Sequence, residues 1–188
     1  NTVLSIGNNT IWLVPLGLKT WFEQNGITNV HELDWWENKI FNKIEFISTP
    51  SQHWSKRTPF ERKNSLWCSW AIIFKDYRFW FGGDTGYNPV QFKQIGNKLG
   101  PFNSAAIPIG AYEPRWFMKN YHIDPLEAIK VHLDVQSEFS IPIHWGTFVL
   151  TDEIITHPPE LLNFYLDSMQ INSDNFPNIA IGKTVELN

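Results

Sequence analysis

The chain has 188 residues, enough for one domain with a sizeable core. Charged residues make up 18% and aromatics 15%, which excludes a disordered tail or a polyelectrolyte. A net charge of -4 excludes an overall electrostatic footprint for nucleic acid, although Lys56-Arg57 beside His53 forms a small basic patch.

Read in chain order, the segments alternate between strand and helix patterns. Ile11 to Val14 is a short buried strand. Pro15 follows at a helix start, and Leu18, Trp21 and Phe22 recur at helical spacing up to the stop at Gly26. Asn29 to Trp35 and Lys43 to Ser48 read as strands. Leu66 to Phe74 and Arg78 to Phe81 form a hairpin across Lys75-Asp76-Tyr77. Asn88-Pro89 opens a helix running to Gly100, and Ala105 to Ile109 is a buried strand. Asp124-Pro125 supplies a cap and a first-turn proline for a helix with Leu126, Ile129 and Leu133 on one face. Phe139 to Ile143 is a strand, Pro158-Pro159 starts a helix, and Asn178 to Leu187 reads as a closing strand. This alternation, with one antiparallel hairpin, predicts a layered α/β domain spanning residues 1–188.

Three of these strand-like runs end in a residue suited to hold a metal. His53 lies in Thr49-Pro50-Ser51-Gln52-His53-Trp54, Asp84 in Gly82-Gly83-Asp84-Thr85-Gly86, and His144 in Ile141-Pro142-Ile143-His144-Trp145-Gly146. Two imidazoles and a carboxylate suit zinc or another borderline divalent metal. Asp84, flanked by glycines, reads either as a ligand bridging two metals or as a tight-turn residue bonding its own backbone. A lone histidine at a strand end is more often a satisfied structural group than a ligand, but three such sites on three strand ends are less easily dismissed. His122 sits just ahead of a helix N-terminus, where it either meets a phosphate or leaving group, or caps the helix. Tyr112 to Met118 is a loop of large side chains with the Glu113/Arg115 charge pair inside it, of the kind that shapes a pocket mouth. His31, His132 and His157 have no such setting and read as surface or structural.

The single Cys68 rules out an intramolecular disulfide, and its place inside a strand run marks a packed thiol. Ten tryptophans fill a large core or suit a lipid-facing surface. No apolar run approaches the ~20 residues needed to span a bilayer. GxSxG, Walker A and dinucleotide fingerprints are absent, and no signal peptide is visible.

Longer matches carry a family resemblance. Trp12 to Gly17, Glu32-Leu33-Asp34-Trp35-Trp36, Thr49 to Trp54, Gly83-Asp84-Thr85-Gly86-Tyr87, Ala106 to Met118 and Ile143 to Phe148 closely resemble the N-acylphosphatidylethanolamine-hydrolysing phospholipase D family, of the metallo-β-lactamase fold superfamily. The resemblance covers nearly the whole chain. It implies an αββα sandwich with two zinc ions between the sheets, His53 and His144 each completing one ion's shell and Asp84 bridging them. It carries an acid or phosphate-stabilising role to His122, makes the substrate a phospholipid, and implies peripheral association with an intracellular membrane. Leu18, Trp21 and Phe22 are the expected wall of an acyl groove, and Tyr112 and Arg115 the expected substrate contacts. A homodimer is a further expectation, and nucleic acid is not an expected partner.

The chain departs from the family in lacking its HxHxDH loop, which in relatives falls just ahead of the segment aligned with Asn1 to Leu4. Asn1-Thr2-Val3-Leu4 reads as mid-domain sequence. The expectation is therefore a fragment of a longer enzyme, incomplete on its N-terminal side, weak in metal binding and inactive by itself. Two rival readings stay open: a related metal-dependent hydrolase with a smaller substrate, and a non-catalytic lipid-binding or partner-binding domain of the same fold.

Overall fold

The computed structural model describes residues 2–56 and 64–187, so Asn1 and Arg57 of the basic patch lie outside the described residues. A short helix α1 (Thr2–Ile6) leads into β1 (Trp12–Pro15), α2 (Lys19–Gln24) and β2 (Val30–Leu33). Strands β3 (Asn38–Phe41), β4 (Ile44–Thr49), β5 (Ser69–Phe74) and β6 (Tyr77–Phe81) follow. The remainder runs α3 (Pro89–Leu99), β7 (Phe102–Pro108), α4 (Arg115–Met118), α5 (Pro125–Asp134), β8 (Ser137–Ile143) and α6 (His157–Ser168).

β1 and β2 pair in parallel as a two-stranded sheet, and β3 to β8 form a six-stranded sheet in sequence order. The pairs β3–β4, β4–β5 and β5–β6 are antiparallel, while β6–β7 and β7–β8 are parallel. The parallel pairs need crossovers, which α3 and the α4–α5 segment supply. Because β4, β6, β7 and β8 all run the same way, their C-terminal ends share one edge of the sheet. In α/β sheets that edge is where ligands bind.

The layers follow from where the apolar surface goes. Trp80, Phe92, Ile95, Phe102, Ile107, Ile129, Leu162 and Leu166 are wholly buried in one core between the large sheet and α3, α5 and α6. At about 25 cal/mol per Å² of apolar area removed from water, this core is the main source of stability. A second, smaller core of Val14, Phe22, Ile27 and Val30 joins α2 to the small sheet. β1 faces β3, β4 and β5 across an apolar cavity of about 480 Å³ lined by Ile11, Leu13, Phe41, Phe46, Trp70 and Ile72. The order is thus helix, sheet, sheet, helix, with only two strands in the second sheet among the described residues.

Several elements differ from the sequence expectation: helix α1 is not foreseen there, and Pro15 ends strand β1 while α2 starts only at Lys19. β3 carries no hydrophobic alternation, because it is an edge strand with Asn38, Lys39 and Ile40 exposed. Its pairing is set by the turn at Asn42 (φ 49°) and Lys43 (φ 67°), whose left-handed backbone matches strand twist in a two-residue hairpin. The four-residue helix α4 is too short to show a helical period. Residues 178–187 contain no strand, although Ile179, Ile181, Val185 and Leu187 alternate. A strand needs a partner edge, and with none paired to this segment Ile181 stays 64% exposed.

Candidate metal centre

His53, Asp84 and His144 lie just beyond the C-terminal ends of β4, β6 and β8, so the strand directions alone bring them to the same edge. Hydrogen bonds then lock the loops together. Gln52 N–H donates to Thr85 Oγ1 (2.9 Å), Gly86 N–H to the Gln52 carbonyl (2.7 Å), and Gln52 Nε2 to the Asn120 carbonyl (3.1 Å). Gly86 is required for this approach, since a Cβ there would lie 2.5 Å from the Asn120 carbonyl oxygen.

The two oxygens of Asp84 face different imidazoles. His144 Nε2 lies 3.2 Å from Oδ1, and His53 Nε2 lies 3.9 Å from Oδ2. His122 completes the group: ligand atoms of His53, Asp84 and His122 all lie within 4.8 Å of one another. Its ring centre is 5.2 Å from that of His53 and 5.6 Å from that of His144. His122, read from the sequence as a phosphate contact or a cap, therefore sits within liganding distance of the same carboxylate.

The orientation of the rings suits an ion at this point. His53 Nδ1 is held by the Tyr121 carbonyl (3.0 Å), which turns Nε2 towards Asp84. His144 Nδ1 is buried with no hydrogen-bond partner among the described residues. Burial, opposed by Asp84 but helped by the neighbouring His53 and His144, lowers the His122 pKa to about 4, so its ring is neutral. His144 also holds a left-handed backbone (φ 61°), a conformation that costs a non-glycine residue about 1–3 kcal/mol and tends to cluster at functional sites. Imidazoles around one carboxylate are the donor set of a borderline divalent metal, so the residues present fit such an ion.

The other expected contacts fare differently. Phe22 is 3% exposed inside the α2 core and offers no surface to a lipid, which corrects its assignment to a groove. Leu18 and Trp21 pack partly against that core and line a separate cavity of about 220 Å³ with Thr20, Gln24, Ser55 and Lys56. Tyr112 is 2% exposed and its hydroxyl lies 3.2 Å from His157 Nδ1, so it supports the loop from beneath and does not form a pocket mouth. The Arg115 guanidinium is already engaged by Glu127 Oε2 (2.8 Å), Asp124 (3.5 Å) and the His122 carbonyl (2.9 Å). Charge that is satisfied internally is not free for a substrate. Burial pushes the Cys68 thiol up to about 11, in keeping with a packed, inert group.

The pocket expected at the loop of large side chains is an apolar hollow beside His122, formed by the far end of that loop, Phe117 and Met118, and not by Tyr112. It measures about 480 Å³ and is lined by Trp54, Lys56, Phe117, Met118, Tyr121 and His122. Trp116 (84% exposed) and Phe117 (58%) project from α4 on this side, and Phe148, Val149 and Leu150 are exposed past His144. The signal was present as Trp116-Phe117-Met118, but a run of large side chains does not reveal which of them face solvent.

Fold and cluster together define a class. The model for the β-lactamase superfamily domain matches residues 7–145, and the chain belongs to that family. Structural likeness agrees: a metallo hydrolase from the archaeon Ignicoccus hospitalis superposes with a TM-score of 0.64 at 17% identity, covering 86% of this chain and 63% of that one. Among named relatives, the N-acyl-phosphatidylethanolamine-hydrolyzing phospholipase D 1 of Caenorhabditis elegans is 44% identical over 186 residues, which is 93% of this chain and 52% of the relative. The mitochondrial N-acyl-phosphatidylethanolamine-hydrolyzing phospholipase D of Saccharomyces cerevisiae is 39% identical over 161 residues, covering 82% of this chain and 34% of the relative. The chain thus spans about half or less of the length of these relatives.

Proposed function

We propose that this chain forms part of a zinc-dependent phosphodiesterase of phospholipase D type, which hydrolyses N-acylphosphatidylethanolamine to N-acylethanolamine and phosphatidic acid. The observation that carries the reading is the Asp84 carboxylate, with each oxygen turned to a different imidazole beside an apolar hollow. His53, Asp84, His144 and the neutral His122 are the residues of this chain that would hold the metal or lie against it. A pair of bound divalent ions would lower the pKa of a water and polarise the phosphoryl oxygens. The His122 ring, in its neutral form, offers one N–H to a phosphate oxygen or leaving group. Lys56 adds a positive charge at the edge of the hollow, and Trp54, Phe117 and Met118 supply apolar surface for a lipid chain.

Peripheral contact with a membrane fits this substrate. No described helix is long and apolar enough to cross a bilayer. Exposed Trp116, Phe117, Phe148 and Leu150 instead flank the cluster, where amphipathic and apolar side chains can enter a lipid headgroup layer. The names of the relatives in nematode and yeast support the same substrate.

The test is product analysis by mass spectrometry of the full-length protein with N-acylphosphatidylethanolamine in vesicles, with and without a chelator. Chelator-sensitive release of N-acylethanolamine and phosphatidic acid is expected. Cleavage of a small phosphodiester or ester without cleavage of the lipid would replace this reading with the smaller-substrate hydrolase. Metal-replete protein that binds vesicles and turns over nothing would leave the non-catalytic lipid-binding domain.

A further inference from the structure

Glu153 lies outside the histidine cluster, on the segment between β8 and α6, yet its carboxylate is committed to the loop on the other side of the site. One oxygen accepts the Ala111 N–H at 2.6 Å, and the other accepts the Glu113 N–H at 3.0 Å. These backbone bonds, together with Thr151, hold its pKa below the usual carboxylate range despite partial burial that acts the other way. Two backbone donors on one carboxylate form a charge-assisted clasp, stronger and more directional than a neutral hydrogen bond.

What the clasp holds matters more than its strength. Ala111 takes a left-handed backbone (φ 63°), which a residue with a Cβ adopts only when its surroundings impose it. Next to it, Gly110 lies so close to the loop after β8 that a Cβ there would fall 2.2 Å from the His144 carbonyl oxygen. The far end of the same segment carries Arg115, whose backbone N–H donates to Glu113 Oε2 (2.9 Å) and whose guanidinium donates to the His122 carbonyl (2.9 Å). A continuous chain of polar contacts therefore runs from Glu153, through Ala111, Glu113 and Arg115, to His122. It ties the loop bearing His144 to the loop bearing His122.

We infer that Glu153 is a positioning residue, which fixes the 111–115 segment and so sets where the His122 ring stands relative to His144 and Asp84. This inference deepens the proposed hydrolase but does not depend on the identity of the lipid. A displacement of about 1 Å at a catalytic group can cost about a hundredfold in rate. In the full-length enzyme, Glu153→Ala is expected to lower kcat about a hundredfold, with KM nearly unchanged, because the segment shifts while the hollow remains. Glu153→Gln keeps one acceptor for a backbone N–H and should recover part of that loss.

A second readout is independent of turnover. In long-range ¹H–¹⁵N spectra of the imidazoles of the full-length protein, the His122 resonances should shift or broaden in Glu153→Ala. Those of His132, on α5 and buried against Ser140 and Phe176, should hold their positions as the control for an intact fold. Should the alanine variant fail to fold, Glu153→Gln carries the test, because it changes little volume. Wild-type His122 resonances in a folded Glu153 variant would overturn the positioning role, whatever the activity. Shifted His122 resonances in a protein that hydrolyses no phosphodiester would uphold that role and remove the proposed function instead.

Discussion

At the scale of single residues, environment separates the histidines more sharply than sequence position does. His122 and His132 both have a pKa lowered to about 4, mainly by burial, but their surroundings differ. His122 stands among His53, Asp84 and His144, whereas His132 bonds Ser140 (2.8 Å) and stacks on Phe176. His122→Ala in the full-length enzyme should therefore lower the rate of phosphodiester cleavage about 10²–10⁴-fold, the usual range for a proton-transfer or hydrogen-bonding group. Zinc content should be retained, and its loss by metal analysis would instead make His122 a ligand. His132 makes a stability prediction. The unfolded state takes up the proton near pH 6.5 and the folded state only near 4, so the folded state gains nothing from protonation in between. Its contribution is present above pH 6.5 and is lost as pH falls towards 4, by about 3 kcal/mol in all. Denaturant melts should show that slope in the wild type and a flatter one in His132→Gln. His53, Asp84 and His144 were legible as candidates because each interrupts a strand pattern at a turn. The exposure of Trp116, the burial of Phe22 and the internal pairing of Arg115 were not, since partners distant in sequence decide them.

At the scale of elements, the site rests on loops packed closer than side chains would permit. Gly86 lets the Asp84 loop lie on the backbone of Asn120. Gly86→Ala forces the Asn120 carbonyl or Gln52 to move and should cost about 1–3 kcal/mol, as overpacking does. Because the displaced backbone leads into His122, hydrolysis should fall by more than the stability loss explains. A variant with wild-type melting and wild-type rate would show that the loops adjust freely. The strand-to-helix order of the large sheet was readable because its buried strands and capped helices carry strong local signals. Asn88 caps α3 by accepting from Val90 and Gln91, and Asp124 and Glu127 form a reciprocal capping box on α5. β3 escaped notice because an exposed edge strand has no apolar face to reveal it. The 178–187 segment misled for the opposite reason: alternation signals a strand only where another strand is present to pair with it.

At the scale of the whole molecule, two sheets face each other across an apolar cavity of about 480 Å³, and the smaller has two strands among the described residues. Ile11 at its rim is 43% exposed, while Val14, Ala106 and Ile107 are buried. Residues 1–188 produced alone should associate or fold only in part, and should bind zinc weakly, because exposed apolar patches drive association and metal binding is coupled to folding. Size-exclusion chromatography with a zinc titration checks this, and a stable monomer holding two zinc ions tightly would contradict it. Whether Asp84 and its imidazoles hold the metal of the proposed hydrolase is read from metal analysis of the full-length protein, wild type against Asp84→Asn. An amide is a far poorer bridge between two cations at almost unchanged volume, so two zinc ions per wild-type chain and a clear loss in a folded variant are expected. Equal metal content and equal turnover in the two proteins would contradict that role.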